Sequence, residues 1–448
     1  MYVANTAITL ISRFLIMGLG MAMGILVARL LGPADKGLLA TIMVVTGIAG
    51  QFANPGMHSA ITHFTAKTRA VKALTANALW WSLTIGTLVA ALTLLVYRLF
   101  PGVFKGIPPT YLLVALMMVP AILGVYLFNA VVLGLEKLLL YNLLELIVTA
   151  FLVVGVVIAL VLLRFGVLSV IWLQVLAPCL TVAALIVYFF ARGEMGFTPD
   201  WPLLRRSLGY GVYVWASLLL SYLVLRFDML FVNYYCGGEG AGWYSVAVSA
   251  GDLLMLIPVS VGTTLFPRIS ALRHEDQDSA FARLHQTFWL PYLLLCLGFG
   301  LAFPWFVRLL YGAAFLPAAP AFYALLPGIF FLGLEILIAN NLAGRAQVRY
   351  LPHIWTVGFV INTLLTVWLV KKMGLIGAAY ASSLSYFLVF VLMFVYHQRH
   401  NRLSVAEQWI PRRESFVLVV REIGGLLTGI FRPTRRIAGG TTTPDETE

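Results

Sequence analysis

Apolar runs of about 20 residues recur along nearly the whole chain, from about residue 7 to about residue 397, with short polar breaks between them. Each is close to the length a helix needs to cross about 30 Å of hydrocarbon. The pattern predicts about twelve transmembrane helices, at about 7–31, 38–57, 74–97, 111–134, 141–163, 167–191, 208–235, 243–266, 287–310, 321–344, 350–370 and 375–397. Irregular backbone facing lipid cannot satisfy its polar groups, so the expected class is an all-α polytopic membrane protein.

The polar punctuation has an internal echo. Gly32-x-x-x-x-Gly37 joins the first two spans, and Gly237-x-x-x-x-Gly242 joins the seventh and eighth. Six spans separate the two turns, so both halves cross the membrane in the same sense. That is the pattern of parallel repeats related by an axis along the membrane normal. The expected architecture is two six-helix bundles related by pseudo-two-fold symmetry, over residues 1–192 and 207–397. The basic segment 193–206 is the expected linker. Beyond residue 398 the chain turns polar and basic, and residues 415–431 read as an interfacial helix of a tail.

Composition narrows the class further. The chain of 448 residues is 61% hydrophobic and 11% charged, which excludes a water-soluble globular class. The net charge of +12 does not call for nucleic acid. With the N-terminus placed in the cytoplasm, about 20 basic residues fall on the inner side and about 8 on the outer side, as the positive-inside rule expects. Both termini are therefore expected inside. Cys179, Cys236 and Cys296 have no paired spacing and read as packing residues, not as a disulfide or metal set. No cleavable signal pattern is seen at the N-terminus.

Catalytic motifs are absent: there is no Walker A pattern, zinc-ligand spacing, nucleophile elbow or dinucleotide fingerprint. Outer loops of at most about a dozen residues argue against a polymerase or glycosyltransferase. Charges inside the spans remain, and such charges mark functional sites by default. Arg13 shares a helical face with Gly20 and Gly24, a face that lines an aqueous cavity or else packs closely while the arginine snorkels. Arg226 shares a face with Tyr222 and Asn233, whereas Asp228 points about 200° away round the helix. Arg13, Arg226, Tyr222 and Asn233 are the candidate substrate-binding residues. Asp228, Asp252 and Glu335 are candidate proton or sodium coupling sites, with interhelical packing pairs as the competing role.

Several stretches resemble one family. Ile25-Leu-Val-Ala-Arg-Leu-Leu-Gly-Pro-Ala-Asp-Lys-Gly37, Arg226-Phe-Asp, Gly242-Trp-Tyr-Ser-Val-Ala247, Leu265-Phe-Pro-Arg-Ile-Ser270, Leu310-Tyr-Gly-Ala-Ala-Phe315 and Gly374-Leu-Ile-Gly-Ala-Ala379 are similar, in order and spacing, to the polysaccharide-exporting flippases of the multidrug/oligosaccharidyl-lipid/polysaccharide (MOP) superfamily. The resemblance implies two bundles around a central cavity and alternating access. It implies export of undecaprenyl-diphosphate-linked oligosaccharide repeat units to the outer leaflet, for exopolysaccharide, capsule or O-antigen synthesis, across the bacterial inner membrane. Some relatives hold the diphosphate with cavity arginines, a role implied here for Arg13 and Arg226. Membrane lipids, and the polymerase and glycosyltransferases of the same pathway, are the implied partners. Two other readings stay open: a cation-coupled multidrug antiporter of the same superfamily, and a membrane scaffold or glycosyltransferase of a glycan assembly complex.

Overall fold

The computed structural model describes residues 2–345, 347, 349–400 and 404–410; side chains at 2–11, 13–14, 213–214, 267–268 and 274–275 stand outside that description. The expected interfacial helix at 415–431 lies beyond the described residues. The helices, in chain order, are α1 (Tyr2–Ala53), α2 (Met57–Thr68), α3 (Val71–Leu99), α4 (Pro109–Leu116), α5 (Met118–Gly134), α6 (Leu138–Val157), α7 (Val167–Ala191), α8 (Trp201–Arg226), α9 (Asp228–Ala271), α10 (His274–Leu310), α11 (Ala318–Gly344), α12 (Leu351–Met373), α13 (Leu375–Arg399) and the short α14 (Val405–Trp409).

Ten helical stretches among the described residues are long and apolar enough to cross a membrane. Two of these, Leu15–Ala53 and Trp215–Ala271, are far longer than one crossing needs. Each is broken by one glycine. Gly32 has φ 77° and ψ 178°, and Gly237 has φ 71° and ψ −174°. Residues with a Cβ avoid that left-handed, extended combination, so glycine alone makes the reversal without strain. The two limbs of α1 then lie side by side. Met23 and Val44 line one cavity, although 21 residues of straight helix would hold them about 32 Å apart. With both long stretches counted as two crossings, the described residues hold twelve membrane-length segments. The near-identical dihedrals at Gly32 and Gly237 give the two halves the same corner.

Two separate apolar cores confirm the two-bundle architecture. One is built mainly from α1–α7 around Ile42, Leu74, Leu123, Phe128 and Phe189. The other is built mainly from α8–α13 around Tyr244, Phe303, Phe322, Leu337 and Met393. Helix α8 belongs to both: Leu203, Leu204 and Leu208 pack on the first core, and Val224 packs in the second. The connecting segment is shorter than the expected 193–206. Asp200 caps α8 by accepting from the Leu203 backbone N–H at 2.9 Å, and Pro202 sits in the first turn, so the helix starts at Trp201.

At the far end of the second bundle, α14 closes against α10 and α13. Ser404 and Glu407 form a capping box. Trp409 packs on the rings of His285 and Trp289, and the Trp289 indole N–H donates to the Trp409 carbonyl at 3.0 Å.

Candidate functional site

The bundles touch at both ends and part in the middle. At the end holding the two glycine corners, backbone meets backbone. A Cβ built on Gly37 would lie 1.9 Å from the Gly238 carbonyl oxygen, and one on Gly242 would lie 2.0 Å from the Pro33 carbonyl oxygen. Two further ties cross the seam here. The Arg29 Nε donates to the Leu310 carbonyl at 2.6 Å, at the C-terminus of α10 where a cation is favoured. The Asn233 amide donates to the Lys105 carbonyl at 2.8 Å.

The opposite, basic end is joined along one side only. Gly56 and Gly211 approach so closely that a Cβ on either would fall 2.2–2.3 Å from the other's carbonyl oxygen. The Trp215 indole donates to the Gln51 carbonyl at 2.7 Å, and His63 stacks on Tyr210 at 4.7 Å. On the other side, no hydrogen bond or ring contact ties α1 to α9 among the described residues. Gly20 and Gly24 have open space where a Cβ would be, and Ser249, Asp252, Ser260 and Thr263 are exposed.

Between the two ends lies a cavity of about 290 Å³, walled by both limbs of α1, by Gln174 of α7, and by the α8–α9 corner helices. Its polar lining is Lys36, Gln174, Tyr222, Arg226, Asp228, Tyr244, Ser245 and Ser249. Arg226 reaches across to the second limb of α9, where its Nη2 lies 2.9 and 2.8 Å from the two carboxylate oxygens of Asp252. The Asp252 side chain is 53% exposed and that of Arg226 29%, so the pair is open on the Asp252 side.

Asp228 has a different environment. It is buried and accepts at Oδ2 from the Tyr244 hydroxyl and from Ser382 at 2.7 Å. Ser382 in turn lies 3.5 Å from the Asn362 amide nitrogen. Among the described residues, Asp228 Oδ1, Asn362 Oδ1 and Thr366 Oγ1 have no hydrogen-bond partner. Asn362 and Thr366 stand one turn apart on α12, so unsatisfied oxygens from α9 and α12 collect behind the cavity wall. Buried acceptors left open in this way are costly, and a proton or a small cation would satisfy them.

The candidates read from the sequence separate accordingly. Tyr222 and Arg226 do share the cavity. Asn233 does not: its amide is spent on the Lys105 carbonyl at the corner seam. Arg13 lies on the first limb of α1, but its side chain is outside the described residues. Asp252 is the partner of Arg226. Glu335 is buried in α11 away from the cavity lining, with Oε1 unpartnered among the described residues. Lys36 is the residue that sequence reasoning missed. It reads as a loop lysine beside Gly37, yet it lines the cavity with Leu39, Ala40 and Met43. The spacing i, i+3, i+4, i+7 within one helical limb was the available signal.

Comparison with known proteins agrees with this geometry. The sequence profile of the lipid II flippase MurJ family matches residues 217–437. Curated relatives include an uncharacterized membrane protein of Methanocaldococcus jannaschii, 28% identical over 45% of this chain and 40% of its own length. A protein of Haloferax volcanii named as a probable low-salt glycan biosynthesis flippase, Agl15, is 21% identical over 42% of this chain and 41% of its own length. One of Shigella flexneri, named as a candidate O-antigen transporter, is 24% identical over 45% and 50%. The matches thus span half or less of each relative. Among solved structures, an inward-facing multidrug-resistance MATE transporter of the MOP superfamily aligns with TM-score 0.72 at 16% identity, over 85% of this chain and 93% of its own. The inward closed lipid II flippase MurJ aligns with TM-score 0.72 at 15% identity, over 96% and 94%. These likenesses establish the MOP fold. The profile of the polysaccharide biosynthesis protein family matches residues 2–273, more than half of the chain, and the chain belongs to that family.

Proposed function

We propose that the protein is a flippase for undecaprenyl-diphosphate-linked oligosaccharide repeat units, moving them from the cytoplasmic to the outer leaflet for exopolysaccharide, capsule or O-antigen synthesis. One observation carries the reading: a cavity between two pseudo-equivalent bundles holds Lys36 and Arg226, with backbone contact between the bundles at the corner end and open space beside Gly20 and Gly24 of α1. A diphosphate cannot cross hydrocarbon unaided, and cations in a wet cavity lower that barrier. Guanidinium and ammonium groups are the side chains suited to phosphate. The names of the Haloferax and Shigella relatives point to the same class of cargo.

In this reading the basic end is cytoplasmic, both termini with it, and the membrane is the bacterial inner membrane. The headgroup enters between α1 and α9 while the lipid tail stays in the bilayer. The corner seam then opens as the halves rock. Coupling runs through Asp228, whose free oxygen, with those of Asn362 and Thr366, takes one proton or one sodium ion. The family's pathway partners, a polymerase and glycosyltransferases, act before and after this step.

The test is reconstitution into vesicles with a fluorescent polyprenyl-diphosphate oligosaccharide in one leaflet. Wild-type protein is expected to equilibrate the label between leaflets, and Arg226→Ala to lose this while still inserting. Failure of the wild type to move the lipid, together with cation-driven uptake of ethidium, would replace the flippase reading with the multidrug antiporter.

A further inference from the structure

We infer that the cavity is a two-cation phosphate site in which Lys36 is the standing anion receptor, and Asp252 is a built-in competitor that holds Arg226 until a phosphate displaces it. This rests on the proposed function and assigns new roles within the same cavity: Lys36 becomes a ligand-contacting residue, and Asp252 a positioning residue in place of a coupling acid.

The geometry of the ion pair is the first support. Both contacts to Asp252 come from the same nitrogen of Arg226, Nη2, at 2.9 and 2.8 Å. The strong carboxylate–guanidinium pair is a fork, with two nitrogens each giving one parallel bond. Here Nε and Nη1 donate to nothing among the described residues, so the guanidinium keeps donors for a second, more highly charged partner. Asp252 is half exposed, with room to swing aside when displaced.

The second support is Lys36. It lines the same cavity from the second limb of α1. No carboxylate among the described residues lies within salt-bridge distance of it. Its nearest acidic cavity neighbour in the lining, Asp228, is occupied at Oδ2 by Tyr244 and Ser382. The cavity therefore offers one uncommitted cation on the first bundle and one lightly committed cation on the second. A diphosphate has enough acceptor oxygens to bridge them. Bridging would tie the two halves together around the ligand, and release of Asp252 would report occupancy to α9, the helix that also carries the corner.

The experiment uses full-length protein in nanodiscs, with calorimetric binding of inorganic pyrophosphate in one arm and farnesyl diphosphate in the other. Each hydrogen-bonded charge contact supplies roughly tenfold in affinity. Lys36→Gln is expected to weaken both ligands about tenfold, with Lys36→Arg restoring binding. Asp252→Asn is expected to tighten both about tenfold by freeing Arg226. Tighter binding of farnesyl diphosphate than of pyrophosphate in wild type identifies a lipid headgroup as the source of the anion; equal binding identifies a soluble diphosphate. Unchanged affinity in Lys36→Gln, or unchanged or weaker affinity in Asp252→Asn, with wild type binding normally, overturns this inference and leaves the flippase reading standing. Wild type that binds neither diphosphate but binds ethidium, lost in Asp252→Asn, overturns both.

Discussion

Gly242→Ala tests the corner seam. The new methyl group would sit 2.0 Å from the Pro33 carbonyl oxygen, 2.7 Å from its carbon and 3.0 Å from its Cα. All three are backbone atoms, so no side chain can turn aside. Ordinary contact begins near 3.4 Å, and the two bundles must separate locally by about 1.4 Å, or the helices must shift by as much. Overpacking of this kind costs about 1–3 kcal/mol. The cost falls only on states in which the corner is closed, so the open state gains by about 5- to 150-fold. Ser245 supplies the reporter. It lines the cavity one turn below Gly242 and is 8% exposed. In a variant with Cys179, Cys236 and Cys296 replaced by serine, Ser245→Cys is labelled from the corner face with an impermeant maleimide. The labelling rate is expected to rise within that range when Gly242→Ala is added, and Gly37→Ala is expected to act alike, through the Gly238 carbonyl. Gly102→Ala, where a Cβ meets nothing within 4 Å, is the matched control. An unchanged rate in a well-folded Gly242→Ala protein would show that this seam does not limit access.

Two further outcomes bear on the second bundle. Arg345 and Asp278 form a buried pair at 2.5 Å, with side chains 6% and 10% exposed; Arg345→Met is expected to cost about 3 kcal/mol, because it takes the charge partner from a buried carboxylate, and to lower the thermal midpoint in detergent, with Asp278→Asn in the same protein restoring part of it. Trp409→Ala removes the ring that seats α14 on His285 and Trp289; a loss of about 2 kcal/mol is expected, together with faster proteolysis at residues 404–410, while diphosphate binding in the distant cavity stays unchanged.

The architecture was legible because membrane helices announce themselves by length and hydropathy, and because glycine is conspicuous where a chain reverses between them. Gly32 and Gly237 carry the same dihedrals, so a repeat seen as spacing is a repeat in conformation. The site was legible only in part. A helical face is a one-dimensional projection: it grouped Tyr222 with Arg226, which lie one turn apart and do share the cavity, but it added Asn233, two turns on, where the wall has given way to the corner seam. It could not pair Arg226 with Asp252, since that contact depends on how the corner at Gly237 folds one limb against the other. Lys36 was hidden by the same corner, its place next to a glycine turn reading as a loop. The start of α8 shows the converse. Asp200 and Pro202 are local signals for a helix beginning at Trp201, but the basic pair Arg205-Arg206 suggested a linker instead.

The charges around the cavity give the proposed coupling a physical form. Arg226 and Asp252 cancel. An ionised Asp228, held by Tyr244 and Ser382, offsets part of the field of Lys36, so the empty site with a bare Asp228 attracts a diphosphate less strongly. A proton or sodium ion on Asp228 leaves Lys36 uncompensated. At an effective dielectric of about 20, removing one negative charge about 10 Å from a unit anion is worth about 1.7 kcal/mol, close to 20-fold in affinity. Linkage makes the effect reciprocal: the bound diphosphate raises the affinity of Asp228 for its cation by the same factor. Cation and anion therefore strengthen each other's binding in the cavity. Neither would be held as firmly alone, so occupancy of Asp228 sets how tightly the cavity grips its cargo.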